Sequence, residues 1–155
     1  MFLIRMFLLV LPFVYMALIW IQTSNFDPES VYMLSTQIDM KILLLIGAGL
    51  ELAHLFEFGL LYLFLVMAFL VFGKLSYRLE VFAAVLAIGY GLVDELHQYY
   101  IPFRSFSLVD LLKNCIGVWA LGYLLNKRYE NKRSRFGNFL RKITYNKEDK
   151  KDLTI

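Results

Sequence analysis

Charged residues are scarce in this chain of 155 amino acids. Only 19% are Asp, Glu, Lys or Arg, whereas soluble domains carry about 25%. Hydrophobic residues make up 59% of the chain, against about 45–50% in soluble domains. Because a soluble domain of this size buries only about 68–70% of its surface, it could not hide so much apolar material. The composition therefore favours an integral membrane protein, and the length allows one domain at most.

Cysteine and the common catalytic motifs are also lacking. Cys115 is the only cysteine, so an intrachain disulfide is excluded. His54 and Glu57 form a His-x-x-Glu pair that is shorter than the His-Glu-x-x-His pattern of zinc proteases, and no Ser-His-Asp, Walker or Rossmann pattern occurs. The sequence therefore predicts no metal site and identifies no cofactor, and it leaves open whether the protein is an enzyme.

Four apolar stretches approach the roughly 20 residues that a membrane-crossing helix needs. They cover residues 2–21, 52–72, 79–96 and 108–125. No small-x-small cleavage site follows the first stretch, so we expect a retained helix rather than a cleaved signal peptide. The sequence thus predicts an all-α, four-transmembrane-helix bundle over residues 1–125, followed by a basic cytoplasmic tail at 126–155.

Residues 42–50 are apolar as well, and they make the second stretch too long for one untilted crossing. Gly47 and Gly49 offer a break. We therefore predict a short interfacial or re-entrant segment before the second span. A continuous, tilted helix is the alternative, because periodicity does not distinguish the two.

Lysine and arginine are distributed unevenly between the connecting segments, which predicts the orientation. Lys74 and Arg78 lie between the second and third spans, and the tail after the fourth span is rich in Lys and Arg. Arg104 is the only basic residue between the third and fourth spans. Both termini are therefore predicted to be cytoplasmic. Acidic residues interrupt the basic tail and no recognition motif occurs in it, so a nucleic-acid partner is not expected.

Polar residues inside the predicted spans form a second pattern. A charged side chain at the centre of a membrane helix costs about 2.5–3.5 kcal/mol, so such residues usually have a function. Here clusters of them fall at the outer ends of the second, third and fourth spans, and Gly91 and Gly117 are small enough to let these helices pack closely. The sequence predicts one polar pocket that opens toward the outer leaflet, formed by His54, Glu57, Asp94, Glu95, Gln98, Arg104, Asp110 and Asn114.

Three separated blocks of sequence resemble the VanZ-like family of bacterial membrane proteins. The first is His54-Leu-Phe-Glu-Phe-Gly-Leu-Leu61, and the second contains Asp94-Glu95 and Gln98, followed by Pro102 and Arg104. The third has the pattern Asp110-x-x-x-Asn-x-x-Gly117. The resemblance covers residues 52–125. Phe103 replaces the usual glycine of the loop, and Lys113 adds a charge beside Asn114.

This resemblance implies a multi-pass protein of the bacterial plasma membrane, in a family associated with low-level teicoplanin resistance. Family members have no settled biochemical activity, so the resemblance marks the shared residues as a site without assigning their roles. We expect the partners to be membrane lipids, with a lipid-linked cell-wall precursor or a lipoglycopeptide as the candidate ligand. Binding of such an amphiphile, enzymatic action on it, and a scaffolding role in assembly are three open alternatives. The oligomeric state cannot be deduced from these patterns.

The sequence offers Arg104 two candidate partners. The loop that carries it is short, and Pro102 restricts the backbone there. The guanidinium can therefore bind an internal acid, such as Asp94 or Asp110, or clamp an anionic group of a ligand.

Overall fold

The computed structural model describes residues 2–25, 33, 36, 38–102 and 104–144, and the regular elements within these residues are helices. In chain order they are α1 (Phe2–Ser24), α2 (Met40–Leu70), α3 (Tyr77–Tyr99), α4 (Leu108–Glu130) and α5 (Arg135–Ile143). The prediction of an all-α fold is confirmed. The residues after 144 and most of the segment between α1 and α2 lie outside the described residues.

Helices α2 to α5 each begin at a residue with a short polar side chain. An Asp or Ser oxygen accepts a hydrogen bond from a backbone N–H of the first turn, which otherwise has no partner within the helix. The four caps are Asp39 for α2, Ser76 for α3, Ser107 for α4 and Ser134 for α5.

Helix α2 is continuous over 31 residues, from Met40 to Leu70. The predicted interfacial or re-entrant segment at residues 42–50 is therefore wrong, and the alternative of one continuous helix is correct. Glycine costs about 1 kcal/mol in a helix interior. The leucines and the alanine around Gly47 and Gly49 are good helix formers, so two glycines do not interrupt the hydrogen-bonding pattern. At 1.5 Å per residue α2 is about 46 Å long.

Helix α2 lies at the centre of the fold and contacts each of the other helices. Phe58, Leu61 and Leu70 on its inner face are fully buried. Its closest neighbour is α4, where Gly117 lies against the Leu55 carbonyl oxygen and Gly59 lies against the backbone of Gly117. Gly91 of α3 similarly faces Asn114 and Phe58. The predicted close helix packing at Gly91 and Gly117 is confirmed.

Two of the described helices, α1 and α4, are long and apolar enough to cross a membrane. Many large apolar side chains on the outside of the fold are exposed, including Leu3 at 79% and Trp119 at 73%. Soluble monomers rarely expose contiguous apolar surfaces of this kind. Both observations support a location in a membrane.

Helix α5 packs back onto the bundle rather than extending away from it. Leu140 and Ile143 are fully buried in the core. The Arg141 guanidinium donates hydrogen bonds to the Tyr129 carbonyl oxygen near the end of α4 and to the Asn138 side chain. The first part of the basic tail is therefore folded against the helices that precede it.

Candidate functional site

Asp94 is the centre of a buried polar network at the C-terminal end of α3. Only 2% of the residue is exposed. Its two carboxylate oxygens accept hydrogen bonds from the Thr23 hydroxyl at 2.8 Å and from the Gln98 amide nitrogen at 2.7 Å. Gln98 lies one turn after Asp94 on the same helix, as their spacing of four predicts. Thr23 comes from α1, so the network joins the first and third helices.

Arg104 extends this network to the loop after α3. Its guanidinium donates to Gln98 Oε1 at 2.9 Å. A carboxylate can only accept hydrogen bonds, so Gln98 must present its amide nitrogen to Asp94 and its oxygen to Arg104. The three side chains therefore form a directed chain in which every donor faces an acceptor. Of the two internal acids considered for Arg104, Asp94 is reached through Gln98.

Glu57 brings α2 into the same region. Its half-buried carboxyl group is close enough to Asp94 and Arg104 for electrostatic interactions with both, and to the Tyr15 hydroxyl on α1. The Tyr90 hydroxyl, which donates to the Met16 carbonyl oxygen at 2.7 Å, is near both acids as well. The carboxyl groups of Glu57 and Asp94, the guanidinium of Arg104 and the phenols of Tyr15 and Tyr90 therefore lie in one region of the bundle.

Glu95 is completely buried and attaches the loop to α3. Its Oε2 accepts a hydrogen bond from the Ser107 backbone N–H at 2.9 Å. Ser107 in turn caps α4, because its hydroxyl accepts from the Asp110 backbone N–H at 3.2 Å. Glu95 therefore fixes where α4 begins relative to α3, which is a positioning role.

Asp110 lies in the first turn of α4, where an acidic side chain is favoured by the helix dipole. Its carboxylate forms an ion pair with Lys113 Nζ at 2.7 Å, one turn further along. Both side chains are partly exposed, at 29% and 21%. The structure thus brings Asp110 to the same end of the bundle but gives its carboxylate a partner on its own helix.

Asn114 is completely buried between α3 and α4, where its amide nitrogen lies against Gly91. Among the residues that the structure describes, neither its amide nitrogen nor its amide oxygen has a hydrogen-bond partner. An unsatisfied buried amide costs about 1–3 kcal/mol, so native structures keep few of them and each calls for an explanation. Asn114 faces Gly91, which lies one turn before Asp94 on α3, so its amide is placed to bind a polar group next to the Asp94 network.

The side chain of His54 and the whole of Phe103 lie outside the described residues. The prediction that all eight residues surround one pocket therefore stays a prediction. Within the part of the chain that is described, no three His, Cys, Asp or Glu side chains come together as a candidate metal site.

Sequence reasoning missed three residues of this region. Thr23 lies just beyond the predicted first span, and nothing in its surroundings marks it as polar core. Ser107 carries an ordinary capping signal, which does not reveal the contact with Glu95. Trp20 stacks on His97 with ring centroids 3.7 Å apart and planes within 3°. The contacts of Thr23 and Trp20 join α1 to α3, and the contact of Ser107 joins the start of α4 to α3, so spacing along one helix could not predict them.

Comparison with known proteins agrees with the motifs at this site. A family model described as VanZ/LLP1 matches residues 2–129. The match includes α1, which the sequence motifs alone had left outside the resemblance. Comparisons with curated proteins and with solved structures produced no match. Because the family model covers well over half of the chain, the protein belongs to the VanZ-like family.

Proposed function

We propose that this protein crosses the bacterial plasma membrane four times and binds the headgroup of an amphiphilic cell-envelope molecule from the outer leaflet. The observation that carries the proposal is the polar network of Asp94, Gln98 and Arg104 at one end of an apolar helix bundle. The Asn114 amide beside it is buried and has no hydrogen-bond partner in the described part of the chain. Polar and charged side chains are costly to place in a membrane, so those that are present usually have a function. The apolar outer surface of the bundle suits the acyl chains of the same molecule.

The four-span topology combines the helices with the distribution of basic residues. Helices α1 and α4 are apolar enough to cross by themselves. Helix α2 contains the apolar segment Leu55–Leu70, and α3 runs antiparallel to it with the Asp94 network at its C-terminal end. With Lys74, Arg78 and the basic tail in the cytoplasm, the Asp94 network lies toward the outside and both termini lie inside.

The topology predicts which engineered cysteines can be labelled from outside the cell. In a Cys115→Ser background, Ser105→Cys in the loop after α3 should react with a membrane-impermeant maleimide. Lys132→Cys, after α4, should react only when the membrane is permeabilised. Both positions are exposed, so accessibility within the fold does not limit either reaction. Labelling of Lys132→Cys in intact cells would refute this orientation.

The network suggests the chemistry of the ligand. The planar guanidinium of Arg104 matches a phosphate or carboxylate group. Asn114 offers both a donor and an acceptor, and Glu57 can accept hydrogen bonds from hydroxyl or amine groups. Lipid-linked cell-wall precursors and lipoglycopeptides combine these groups with an acyl or polyprenyl chain. Binding of teicoplanin, or of the precursor that it targets, would connect the site to glycopeptide resistance.

The hydrogen bonds that Asp94 and Glu95 accept support a binding role better than a catalytic one. Both oxygens of Asp94 already accept hydrogen bonds from protein side chains, and one oxygen of Glu95 accepts from the backbone of Ser107. A general base must instead reach a proton of the substrate. Enzymatic action on an envelope lipid, with Glu57 as the acid or base, is the second candidate, and its half-buried position beside Arg104 favours it over the other acids.

Replacing Arg104 with lysine tests the binding proposal. A lysine keeps the charge but loses the paired N–H groups, so affinity for an anionic headgroup should fall about tenfold or more, since hydrogen bonds to charged groups contribute about 1.5–3 kcal/mol. The measurement is native mass spectrometry of co-purified lipids, followed by titration of the protein in nanodiscs with teicoplanin and with a polyprenyl-diphosphate lipid.

Arg78→Lys is the matched control, since Arg78 is exposed at the opposite end of α3. It should bind as the wild type does. Equal affinity of the Arg104→Lys, Arg104→Ala and wild-type proteins for both probes would reject the proposal. Turnover of a bound lipid by wild-type protein that disappears in Glu57→Gln would replace binding with catalysis.

A further inference from the structure

A lateral groove between α3 and α4 lies at the opposite end of the bundle from the Asp94 network. Its volume is about 460 Å³, and its apolar walls include Val81, Ile88 and Trp119. From Tyr77 to Ile88 it follows α3 for about 16 Å, at 1.5 Å per residue. This length and lining suit one acyl chain lying along the helices.

The end of the groove nearest the start of α3 is polar. The Glu80 carboxylate accepts hydrogen bonds from the Asn126 amide at 2.5 Å and from the Tyr62 hydroxyl at 3.5 Å. Glu80 thus connects α3 to α4 and α2. An acid is favoured in the first turn of a helix by the helix dipole. That preference does not explain why the Glu80 carboxylate contacts the two neighbouring helices.

The donors around Glu80 are uncharged. Within the described ranges, no Lys or Arg forms an ion pair with this carboxylate. Lys127 comes directly after Asn126, and its ammonium lies 6.0 Å from the ring centre of Tyr123, which also lines the groove. A negative group inside the groove and a positive group at its edge complement a zwitterion.

We propose that this groove binds a membrane lipid whose headgroup carries a primary ammonium next to a phosphate. Glu80 receives the ammonium, Lys127 contacts the phosphate, and one acyl chain lies between Val81, Ile88 and Trp119. Tyr77 and Tyr123 border the headgroup end, where aromatic residues commonly lie at membrane interfaces. Assignment of the groove to the inner leaflet rests on the proposed topology, whereas its chemical preference does not.

Trp119 allows this preference to be measured directly. The chain has only two tryptophans, and Trp20 lies at the other end of the bundle. In full-length Trp20→Phe protein, all tryptophan fluorescence comes from Trp119. Vesicles would contain a fixed fraction of lipid with brominated chains, which quench a neighbouring tryptophan. The brominated lipid would carry a phosphoethanolamine, phosphocholine or phosphoglycerol headgroup on identical chains.

Phosphoethanolamine lipid should quench Trp119 with an apparent association constant at least about threefold above those of the other two lipids, in the range expected for a half-exposed ion pair. Glu80→Gln should abolish this difference because the amide keeps the shape of the carboxylate but not its charge. Glu130→Gln is the matched control. Glu130 is an exposed acid at the end of α4 that does not line the groove, so this variant should keep the preference.

Two further variants test whether the lipid preference arises at this groove. Ala84→Leu adds side-chain volume to the groove wall without altering any charge, and it should reduce quenching by phosphoethanolamine lipid even if Glu80→Gln does not fold. Arg104→Lys, at the other end of the bundle, should leave the preference unchanged. Equal quenching by all three lipids in the Trp20→Phe protein would overturn the inference. So would a preference that persists in folded Glu80→Gln and Ala84→Leu proteins.

Discussion

Gly117→Ala is expected to lower the stability of the protein by about 3 kcal/mol or more, because it places a methyl group where two helices touch. A Cβ atom at position 117 would overlap the Leu55 carbonyl oxygen and press on the carbonyl carbon behind it. Both atoms belong to the backbone of α2, so no side-chain rotation can relieve the contact. Helices α2 and α4 would have to separate along their closest approach, and the packing around Phe58 would open with them.

The comparison for this prediction is Gly89→Ala. Gly89 is also in a helix interior, but an added Cβ there meets no atom within 4 Å. Alanine is the better helix former by about 1 kcal/mol, so this variant should be as stable as the wild type or slightly more stable. Thermal unfolding in detergent, followed by the loss of the monodisperse peak in size-exclusion chromatography, measures both. If Gly117→Ala melted at the wild-type temperature, the close crossing of α2 and α4 would be refuted.

The directions of the hydrogen bonds in the Asp94 network predict that the acid and the amide can be exchanged between positions 94 and 98. In Asp94→Asn the amide can present its oxygen to the Gln98 nitrogen and its nitrogen to the Thr23 hydroxyl, which then accepts instead of donating. The two hydrogen bonds are kept but lose their charged acceptor, so we expect a cost of only about 1–2 kcal/mol. In Gln98→Glu, two buried carboxylates meet, and we expect a loss of about 3 kcal/mol or more.

The double variant Asp94→Asn with Gln98→Glu should recover much of this loss. Arg104 then donates to Glu at position 98, Asn at position 94 donates to the same carboxylate, and Thr23 donates to the amide oxygen of Asn. Every donor faces an acceptor again. A double-mutant cycle on the apparent unfolding free energy should therefore give a coupling of the rescuing sign, within the range of about 0.5–3 kcal/mol seen for residues of one network.

Asp110→Asn supplies the matched control for this cycle. The same chemical change occurs at a partly exposed acid with an ion-pair partner on its own helix, so it should cost less than about 1 kcal/mol. Strictly additive effects of Asp94→Asn and Gln98→Glu would show that the two side chains do not form the directed chain. They would also remove the main support for Arg104 as the end of that chain.

Several features of this protein follow from the sequence by itself. Scarce charge and long apolar stretches indicate a membrane location and helices, because a stretch of about 20 apolar residues matches the length of a membrane-spanning helix, whereas a membrane strand needs about half as many. The spacing of Asp94 and Gln98 places them on one helix face, since residues four apart are neighbours on a helix. The small residues Gly91 and Gly117 mark close helix contacts. The shared motifs identified the family over residues 52–125, and the family model extends this to 2–129.

Only the tertiary structure determined which helices meet and through which atoms. Local glycine content suggested a break at residues 42–50, but α2 is one continuous helix from Met40 to Leu70. The contacts of Thr23 with Asp94, Glu95 with Ser107, and Glu80 with Asn126 each join different helices. Spacing along one helix specifies which residues share a face, whereas contacts between helices depend on how each helix is rotated and where the helices cross. Those quantities are determined by the fit of side chains and glycines across the whole bundle, which no local pattern encodes.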